Sequence, residues 1–278
     1  MNFEFLVETQ LKTKNLKLMK VLGIDTATAT ASVALVEEGK LIAEEVRSAP
    51  KQSSPHPSGR QGNHAEILLP LVDTVLAKAG LSLSEISAFA VSIGPGSFTG
   101  LRIGLSTVKG LAYGWEIPVV GVPTLLAVAA RVTGWDGLVC PFLDARKKEV
   151  YAALFRKRGE KLERLSEDLV CAPEKVLQKT ESLADGEPCL FIGDGTKVYE
   201  DLITTSLGDR GFSTLGESYP SGAYAVARLG EEKLRRQEFD SLGPLVPLYL
   251  RPSEAELKKA SEGKLSKNQT FVVALTKK

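Results

Sequence analysis

The chain has 278 residues, and its 35 Lys and Arg are balanced by 34 Asp and Glu, which gives a formal net charge of +1 at neutral pH. With 43% hydrophobic and 25% charged residues, it has the composition of an ordinary globular protein. A protein that binds tRNA or DNA by itself usually carries a clear basic excess, so this balance gives no indication of direct nucleic-acid binding.

The predicted fold begins at Met19. Residues 1–18 lack the charged end, apolar middle and cleavage site of a signal peptide, and they show no strand or helix pattern. We therefore expect a disordered N-terminal extension, with Met19 as a candidate start codon. Deleting residues 1–18 should leave the melting temperature and partner binding unchanged.

Three strands are predicted after Met19, and the first two are joined by a short polar link that contains Asp25 and Thr26. A loop rich in Pro, Ser and Gly follows at 48–63. The predicted strands are Val21 to Ile24, Ala31 to Val36 and Leu41 to Val46.

A helix is predicted from His64 to Ala79. Its apolar side chains cover roughly 200° of the helical wheel, about twice the stripe that a single core contact needs. The sequence therefore predicts that part of this helix, including Leu68 and Leu71, faces a partner protein.

After a strand at 88–93, the stretch SIGPGSFTGLRIG opens a glycine-rich helix over about Phe98 to Trp115. Each helical glycine costs roughly 1 kcal/mol relative to alanine, so a helix keeps several only where something must come close. We predict a partner-binding face, while packing inside the domain is the alternative. Within about 80° of the wheel, the predicted face comprises Gly100, Gly104, Thr107, Leu111 and Gly114.

The second half of the chain repeats this pattern. Strands at 138–143 and 149–155 flank an Asp144-Ala145-Arg146 link, and a strand at 190–192 ends at Gly193-Asp194-Gly195. This duplication predicts an α/β protein with two lobes, at 19–119 and 120–250. A helix at 221–239 can pack back on the first lobe, and 251–278 is a predicted flexible tail.

Four segments together closely resemble the bacterial TsaB (YeaZ) family. They are VLGIDTATATASVALVEEGKLIAEE, NHAEILLPLVDTVLAKAGLSLSEI, SIGPGSFTGLRIGLSTVKGLAYGWEIPVVGVPTLLAVA and FLDARKKEVYAALF. The resemblance is strong over residues 19–155, with PLVPLYLRPSEAE as a weaker echo. It implies the actin-like, Hsp70-like and sugar-kinase fold, a ribonuclease H-like architecture with duplicated mixed sheets and flanking helices.

The resemblance also implies a function. This family provides the partner subunit of the enzyme that makes threonylcarbamoyladenosine at adenosine 37 of tRNAs reading ANN codons. The implied role is a non-catalytic scaffold that pairs with a TsaD-type catalytic subunit and is joined by a TsaE-type ATPase. A homodimer is expected when the catalytic partner is absent. We expect tRNA contact only through the complex and a cytoplasmic location.

Three nucleotide-binding elements of this fold are present in degraded form. Ala27 and Arg146 replace glycines that let phosphate approach the backbone in active ATPases. We therefore expect no cofactor on the isolated chain, with ATP or ADP possible at the partner interface. The residues of this degraded nucleotide site are Asp25, Thr26, Asp144, Gly193 and Gly195.

Two enzymatic alternatives stay open. An autonomous actin-like ATPase or sugar kinase would turn over ATP in a way that Asp25→Ala abolishes. An M22-type peptidase would carry zinc, but His64 has Leu68 where a second helical histidine ligand would fall, so we predict no metal site. The three cysteines form no C-x-x-C pair, which predicts reduced thiols. No apolar run approaches the ~18 residues of a membrane span.

Overall fold

The computed structural model describes residues 19–48, 64–215, 219 and 222–252. The predicted extension 1–18, nearly all of the loop at 48–63 and the predicted tail after residue 252 lie outside the described residues. The part that is described forms two lobes, each built on a mixed sheet that is covered by helices.

The first lobe contains a five-stranded sheet with the order β3-β2-β1-β4-β5. β2 pairs antiparallel with both β1 and β3, whereas β4 pairs parallel with β1 and β5 pairs parallel with β4. Nearly all residues of β1 and β4 are buried, as expected for strands with helices on both faces of the sheet. The elements of this lobe are β1 (Lys20–Asp25), β2 (Thr30–Glu37), β3 (Lys40–Ser48), α1 (His64–Ala79), β4 (Ala88–Gly94), α2 (Phe98–Trp115), β5 (Val119–Pro123) and α3 (Thr124–Ala130).

The second lobe repeats this topology, with the order β10-β7-β6-β11-β12 and the same alternation of antiparallel and parallel pairs. The predicted fold class, an actin-like α/β protein with duplicated mixed sheets, is therefore confirmed. The elements of the second lobe are β6 (Gly137–Arg146), β7 (Glu149–Ala152), β8 (Phe155–Arg158), β9 (Lys161–Arg164), β10 (Leu169–Cys171), α4 (Pro173–Ala184), β11 (Cys189–Ile192), α5 (Gly195–Leu207) and β12 (Gly211–Thr214). The last helix, α6 (Gly222–Arg235), returns to the first lobe.

The predicted single strand at 149–155 is in fact two strands. The chain bends at Ala153 and Leu154, so β7 pairs with the C-terminal half of β6 while β8 pairs with its N-terminal end. The bend is buried and anchored, because the Leu154 N–H donates to Ser166 Oγ and the Leu154 carbonyl accepts from Leu165 N. Apolar residues continue through the bend, which explains why the sequence resembles one strand.

Helices cover both faces of the two sheets. α1 and α2 pack on one face of the first sheet, and α6 packs on its other face against β1, β2 and β4. The approach of α6 is close, since a Cβ at Gly23 would lie 2.2 Å from the Ala223 carbonyl oxygen. α3 lies between the lobes: Ala127 joins the core of the first, while Leu125 and Val128 join that of the second.

The three thiols differ in accessibility. Cys140 and Cys189 are buried in the second lobe and Cys171 is partly exposed, and all three are free. Burial raises the pKa of each of these thiols above its ordinary value. Because the thiolate is the reacting species, we expect slow alkylation of Cys171 alone in the native protein, and of all three after unfolding. Peptide mass spectrometry measures this; rapid labelling of Cys140 or Cys189 would contradict the packing.

Candidate functional site

Asp25 and Thr26, predicted as parts of a degraded nucleotide site, are sealed inside the first lobe. Asp25 is 7% exposed, and its Oδ1 accepts hydrogen bonds from Ser92 Oγ at 2.7 Å and from the Ala27 N–H at 3.0 Å. Thr26 is fully buried and its Oγ1 donates to the Gly100 carbonyl at 2.8 Å. Asp25 and Thr26 thus hold the β1–β2 link to β4 and α2, and their place in a degraded nucleotide site stays a prediction.

Gly193 and Gly195 also serve packing. A Cβ at Gly193 would lie 2.6 Å from Leu143 Cδ2, and one at Gly195 would lie 2.7 Å from the Phe142 carbonyl oxygen. The two glycines thus let the β11–α5 turn approach β6. The structure explains them by this close approach, and neither lines the cleft described next.

An open cleft of about 780 Å³ separates the two lobes. The first lobe contributes the β1–β2 link, His64 and the start of α2; the second contributes the β6–β7 hairpin and Asp194. We call this the interlobe cleft. Its lining residues are Ala27, Thr28, Ala29, His64, Gly96, Ser97, Phe98, Thr99, Leu143, Asp144, Ala145, Arg146, Lys147, Tyr151, Asp194, Arg251 and Pro252.

Asp144 is the one residue of the predicted nucleotide set that lines the interlobe cleft. Its carboxylate accepts a hydrogen bond from Arg146 N at 2.8 Å and contacts Arg146 Nη1 at 3.2 Å, while its own N–H donates to Asp194 Oδ1. Desolvation raises the pKa of Asp194, and the charge of Asp144 acts in the same direction. Two carboxylates and the exposed Arg146 therefore face the cleft from the second lobe.

His64 lies at the base of α1 and is 7% exposed. Desolvation lowers the pKa of its imidazole, although a hydrogen bond to the Ala29 backbone and the charge of Asp25 oppose the shift. The described residues include no group of three or more His, Cys, Asp or Glu side chains that could hold a metal ion. His64 is thus a buried, neutral histidine in the cleft wall.

The lowered pKa predicts a pH dependence of stability. The unfolded chain takes up the His64 proton near pH ~6.5, more readily than the native state does. The stabilisation is therefore complete above that pH and is lost as the pH falls towards the lower folded-state pKa. Between pH 7.5 and 5.5, the free energy of unfolding measured with denaturant should fall less for His64→Gln than for the wild type. An identical loss in both proteins would contradict this assignment.

The predicted partner face is only partly accessible. Leu68 and Leu71 are fully buried in the first core, so their assignment to an interface is corrected. Leu69, at the edge of the same apolar stripe, is 48% exposed. On a helical wheel, side chains at the centre of a wide apolar stripe face the core, and those at its edges reach the surface.

Gly100 and Gly104 are also corrected, because their close neighbour belongs to the same lobe. A Cβ at Gly100 would lie 2.0 Å from the Thr26 carbonyl oxygen, and one at Gly104 would lie 2.3 Å from Thr26 Oγ1. Both glycines are buried under the β1–β2 link. For these two positions the alternative interpretation, packing inside the domain, is the right one.

The second half of α2 differs from the first. Gly110 and Gly114 are exposed, and a Cβ added at either position would meet no atom within 4 Å. Thr107 and Leu111 are half-buried on the same part of the helix. We call these four residues the α2 face. Leu111 also packs against the first core. Thr107, Leu111 and Gly114 belong to the predicted interface, and the accessible surface extends from them to Gly110.

Residues 249–251, which we call the C-terminal strap, connect α2 to the second lobe. The Tyr249 ring stacks on Phe98 at 4.5 Å, and its hydroxyl accepts a hydrogen bond from Arg102 Nε at 2.9 Å. Two residues later, Arg251 Nη1 contacts Glu149 Oε2 at 3.0 Å and Nη2 donates to the Ala145 carbonyl. Sequence reasoning missed this strap and placed Arg251 in the flexible tail.

Comparisons with known proteins agree with this architecture. A family model described as "TsaD: tRNA N6-adenosine threonylcarbamoyltransferase" matches residues 41–259. The chain is 32% identical over 240 residues to "tRNA threonylcarbamoyladenosine biosynthesis protein TsaB" of Bacillus subtilis, covering 86% of this chain and 97% of that protein. The chain belongs to the TsaB (YeaZ) family. The TsaB protein of Escherichia coli is 36% identical over 66% of this chain and 75% of its own length.

A solved member of the TsaB family supports the same fold. The structure of YeaZ from Pseudomonas aeruginosa matches with a TM-score of 0.68 at 28% identity, and it covers 84% of this chain and 100% of the YeaZ chain. Among the described residues, none of the helices combines the length and apolar character needed to cross a bilayer.

Proposed function

We propose that this chain is the non-catalytic subunit that pairs with a TsaD-type catalytic protein in the transfer of a threonylcarbamoyl group to adenosine 37 of tRNAs reading ANN codons. Membership of the TsaB family supports the reaction. The observation that carries the pairing role is the α2 face, a small-residue surface on an 18-residue helix with open space over Gly110 and Gly114. Such a surface admits a second helix at short axial distance.

The non-catalytic assignment is supported by what the acidic residues contact. Asp25 is occupied by Ser92 and the Ala27 N–H, and Asp144 is occupied by Arg146. In an ATPase of this fold, the carboxylate of the first hairpin must reach the metal and the phosphate. Here the corresponding residue, Asp25, is buried and does not line the interlobe cleft. ATP or ADP then belongs to the interface with the partner, and the chain alone needs no cofactor.

The proposed assembly includes further partners. A TsaE-type ATPase joins the pair, and a homodimer that uses the α2 face forms when the catalytic partner is absent, since the two partners share a fold. The tRNA binds the complex, because the isolated chain has a net charge of +1 and phosphate binding scales with the number of Lys and Arg contacts. The proposed location of the assembly is the cytoplasm.

Reconstitution of the modification tests this proposal. A TsaD-type subunit, a TsaE-type subunit, tRNA and the precursors should form threonylcarbamoyladenosine only when this chain is added. The chain alone should neither modify tRNA nor hydrolyse ATP. Full modification in its absence, or ATP turnover by the chain alone that Asp25→Ala abolishes, would overturn the proposal.

A further inference from the structure

The C-terminal strap begins on the first lobe, where several contacts hold it. The Tyr249 ring stacks on Phe98, and the Arg102 guanidinium lies 4.0 Å from the centre of the Phe98 ring while its Nε donates to the Tyr249 hydroxyl. Immediately before the strap, the Leu248 N–H donates to the Ile93 carbonyl at 2.6 Å. These contacts join the strap to β4 and to the first two turns of α2, so its first residue moves with the first lobe.

The other end of the strap is fixed to the second lobe. Arg251 contacts both strands of the β6–β7 hairpin: its Nη1 donates to Glu149 Oε2 at 3.0 Å, and its Nη2 donates to the Ala145 carbonyl. The guanidinium also lies 5.9 Å from the centre of the Tyr151 ring on β7. Arginine suits this position because its planar guanidinium donates several hydrogen bonds in fixed directions. A single side chain thus holds the hairpin that forms part of the second wall of the interlobe cleft.

Only one residue, Leu250, separates the two anchors of the strap. The Cα atoms of Tyr249 and Arg251 are therefore at most about 7 Å apart, even in a fully extended chain. Since Arg251 and Pro252 line the interlobe cleft, a substantial widening of the cleft on this side requires that one of the two anchors breaks. The lobes also meet at α3, whose side chains enter both cores, and this buried helix can serve as the hinge.

We propose that the C-terminal strap is a latch that sets the width of the interlobe cleft and that releases at its Arg251 end. The side chains of Arg251 and Glu149 are 25% and 38% exposed, so water and salt screen their attraction. The Tyr249 end is the firmer anchor, because it combines ring stacking with a hydrogen bond. When Arg251 leaves the hairpin, the lobes turn about α3 and the cleft widens. This inference concerns the isolated chain and is independent of the proposed pairing with a catalytic subunit.

Spin labels on the two lobes test the latch in the full chain. One label is attached through Ala29→Cys on the β1–β2 link and the other through Lys197→Cys at the start of α5, and both positions are exposed. Cys171→Ser removes the partly exposed thiol, while burial keeps Cys140 and Cys189 unlabelled. Because neither label lies on the strap or on the β6–β7 hairpin, the distance between them reports the positions of the lobes.

Arg251→Gln should lengthen the mean distance between the labels, measured by double electron–electron resonance, by at least ~3 Å, which is about the length of one extended residue. Arg236→Gln is the matched control, because it removes an exposed arginine ion pair with Glu238 that lies outside the strap. The control should leave the distance unchanged. Arg251 is only partly buried, so both variants should fold normally, as circular dichroism can verify.

The two anchors act in series, which gives the test its sharpest outcome. Tyr249→Ala, at the first-lobe end, should lengthen the distance as much as Arg251→Gln does, and the double variant should add nothing, because one broken anchor already releases the strap. Salt at ~1 M should move the unsubstituted strap towards the same longer distance and leave Arg251→Gln unchanged. A distance that neither variant changes, a double variant that lengthens it by the sum of the two effects, or a salt-independent distance would each overturn the proposal.

Discussion

Gly100→Ala should lower the free energy of unfolding by about 3 kcal/mol or more, which is the scale for a forced backbone shift in a packed region. The added methyl would lie 2.0 Å from the Thr26 carbonyl oxygen, and that carbonyl belongs to the buried β1–β2 link. The melting temperature should then fall by roughly 6–12 °C for a protein of this size. Differential scanning calorimetry and denaturant unfolding measure both quantities.

Gly110→Ala on the same helix is the matched control. Nothing lies within 4 Å of the added methyl, so the helix gains the propensity difference of roughly 1 kcal/mol and the protein should become slightly more stable. Equal effects of the two substitutions would contradict the division of α2 into a buried first half and an open second half.

Gly110→Arg should weaken pairing with the TsaD-type subunit at least about a hundredfold, since a bulky charge in the centre of an interface costs several kcal/mol. The position is exposed and uncontacted in the isolated chain, so the substitution should leave the melting temperature unchanged or slightly higher. Isothermal titration calorimetry gives the dissociation constant, and size-exclusion chromatography with light scattering reports the homodimer, which should be lost as well.

Gln178→Arg provides the control for added charge. Gln178 is exposed on α4 in the second lobe, far in sequence and topology from the α2 face. This variant should pair normally. A Gly110→Arg protein that pairs as tightly as wild type would remove the α2 face from the interface, even if the proteins still form a complex through another surface.

The repeated pattern of strands and helices was predictable because it depends on residues that are close together in the sequence. The bounds of α1 and α2 follow from the apolar periodicity, from the glycine at 80 after α1 and from the glycines at 94 and 96 before α2. The two hairpins with Asp25 and Asp144 mark the duplication. Strand β12 and helix α4 were not predicted, since β12 is a short four-residue edge strand and α4 has a polar sequence whose stripe is narrow.

The candidate sites were harder to predict because they depend on distant contacts. Whether Gly100 or Gly110 is the open glycine is decided by Thr26, which is more than 70 residues away in the chain. The Asp25 carboxylate accepts hydrogen bonds from Ser92 and the Ala27 N–H, and Glu149 anchors Arg251, which the sequence placed in the flexible tail. No local pattern in the sequence reports these tertiary partners.

The most direct test of the central claim is the rate of tRNA threonylcarbamoylation when this chain is titrated into a fixed amount of the TsaD-type subunit. A non-catalytic partner predicts that the rate rises from near zero and saturates at one chain per catalytic subunit. With Gly110→Arg, the half-maximal concentration should rise in proportion to the weakened pairing, while the saturated rate stays at the wild-type value. A rate that ignores the added chain, or one that keeps rising in proportion to the chain far beyond equimolar amounts, would contradict the account.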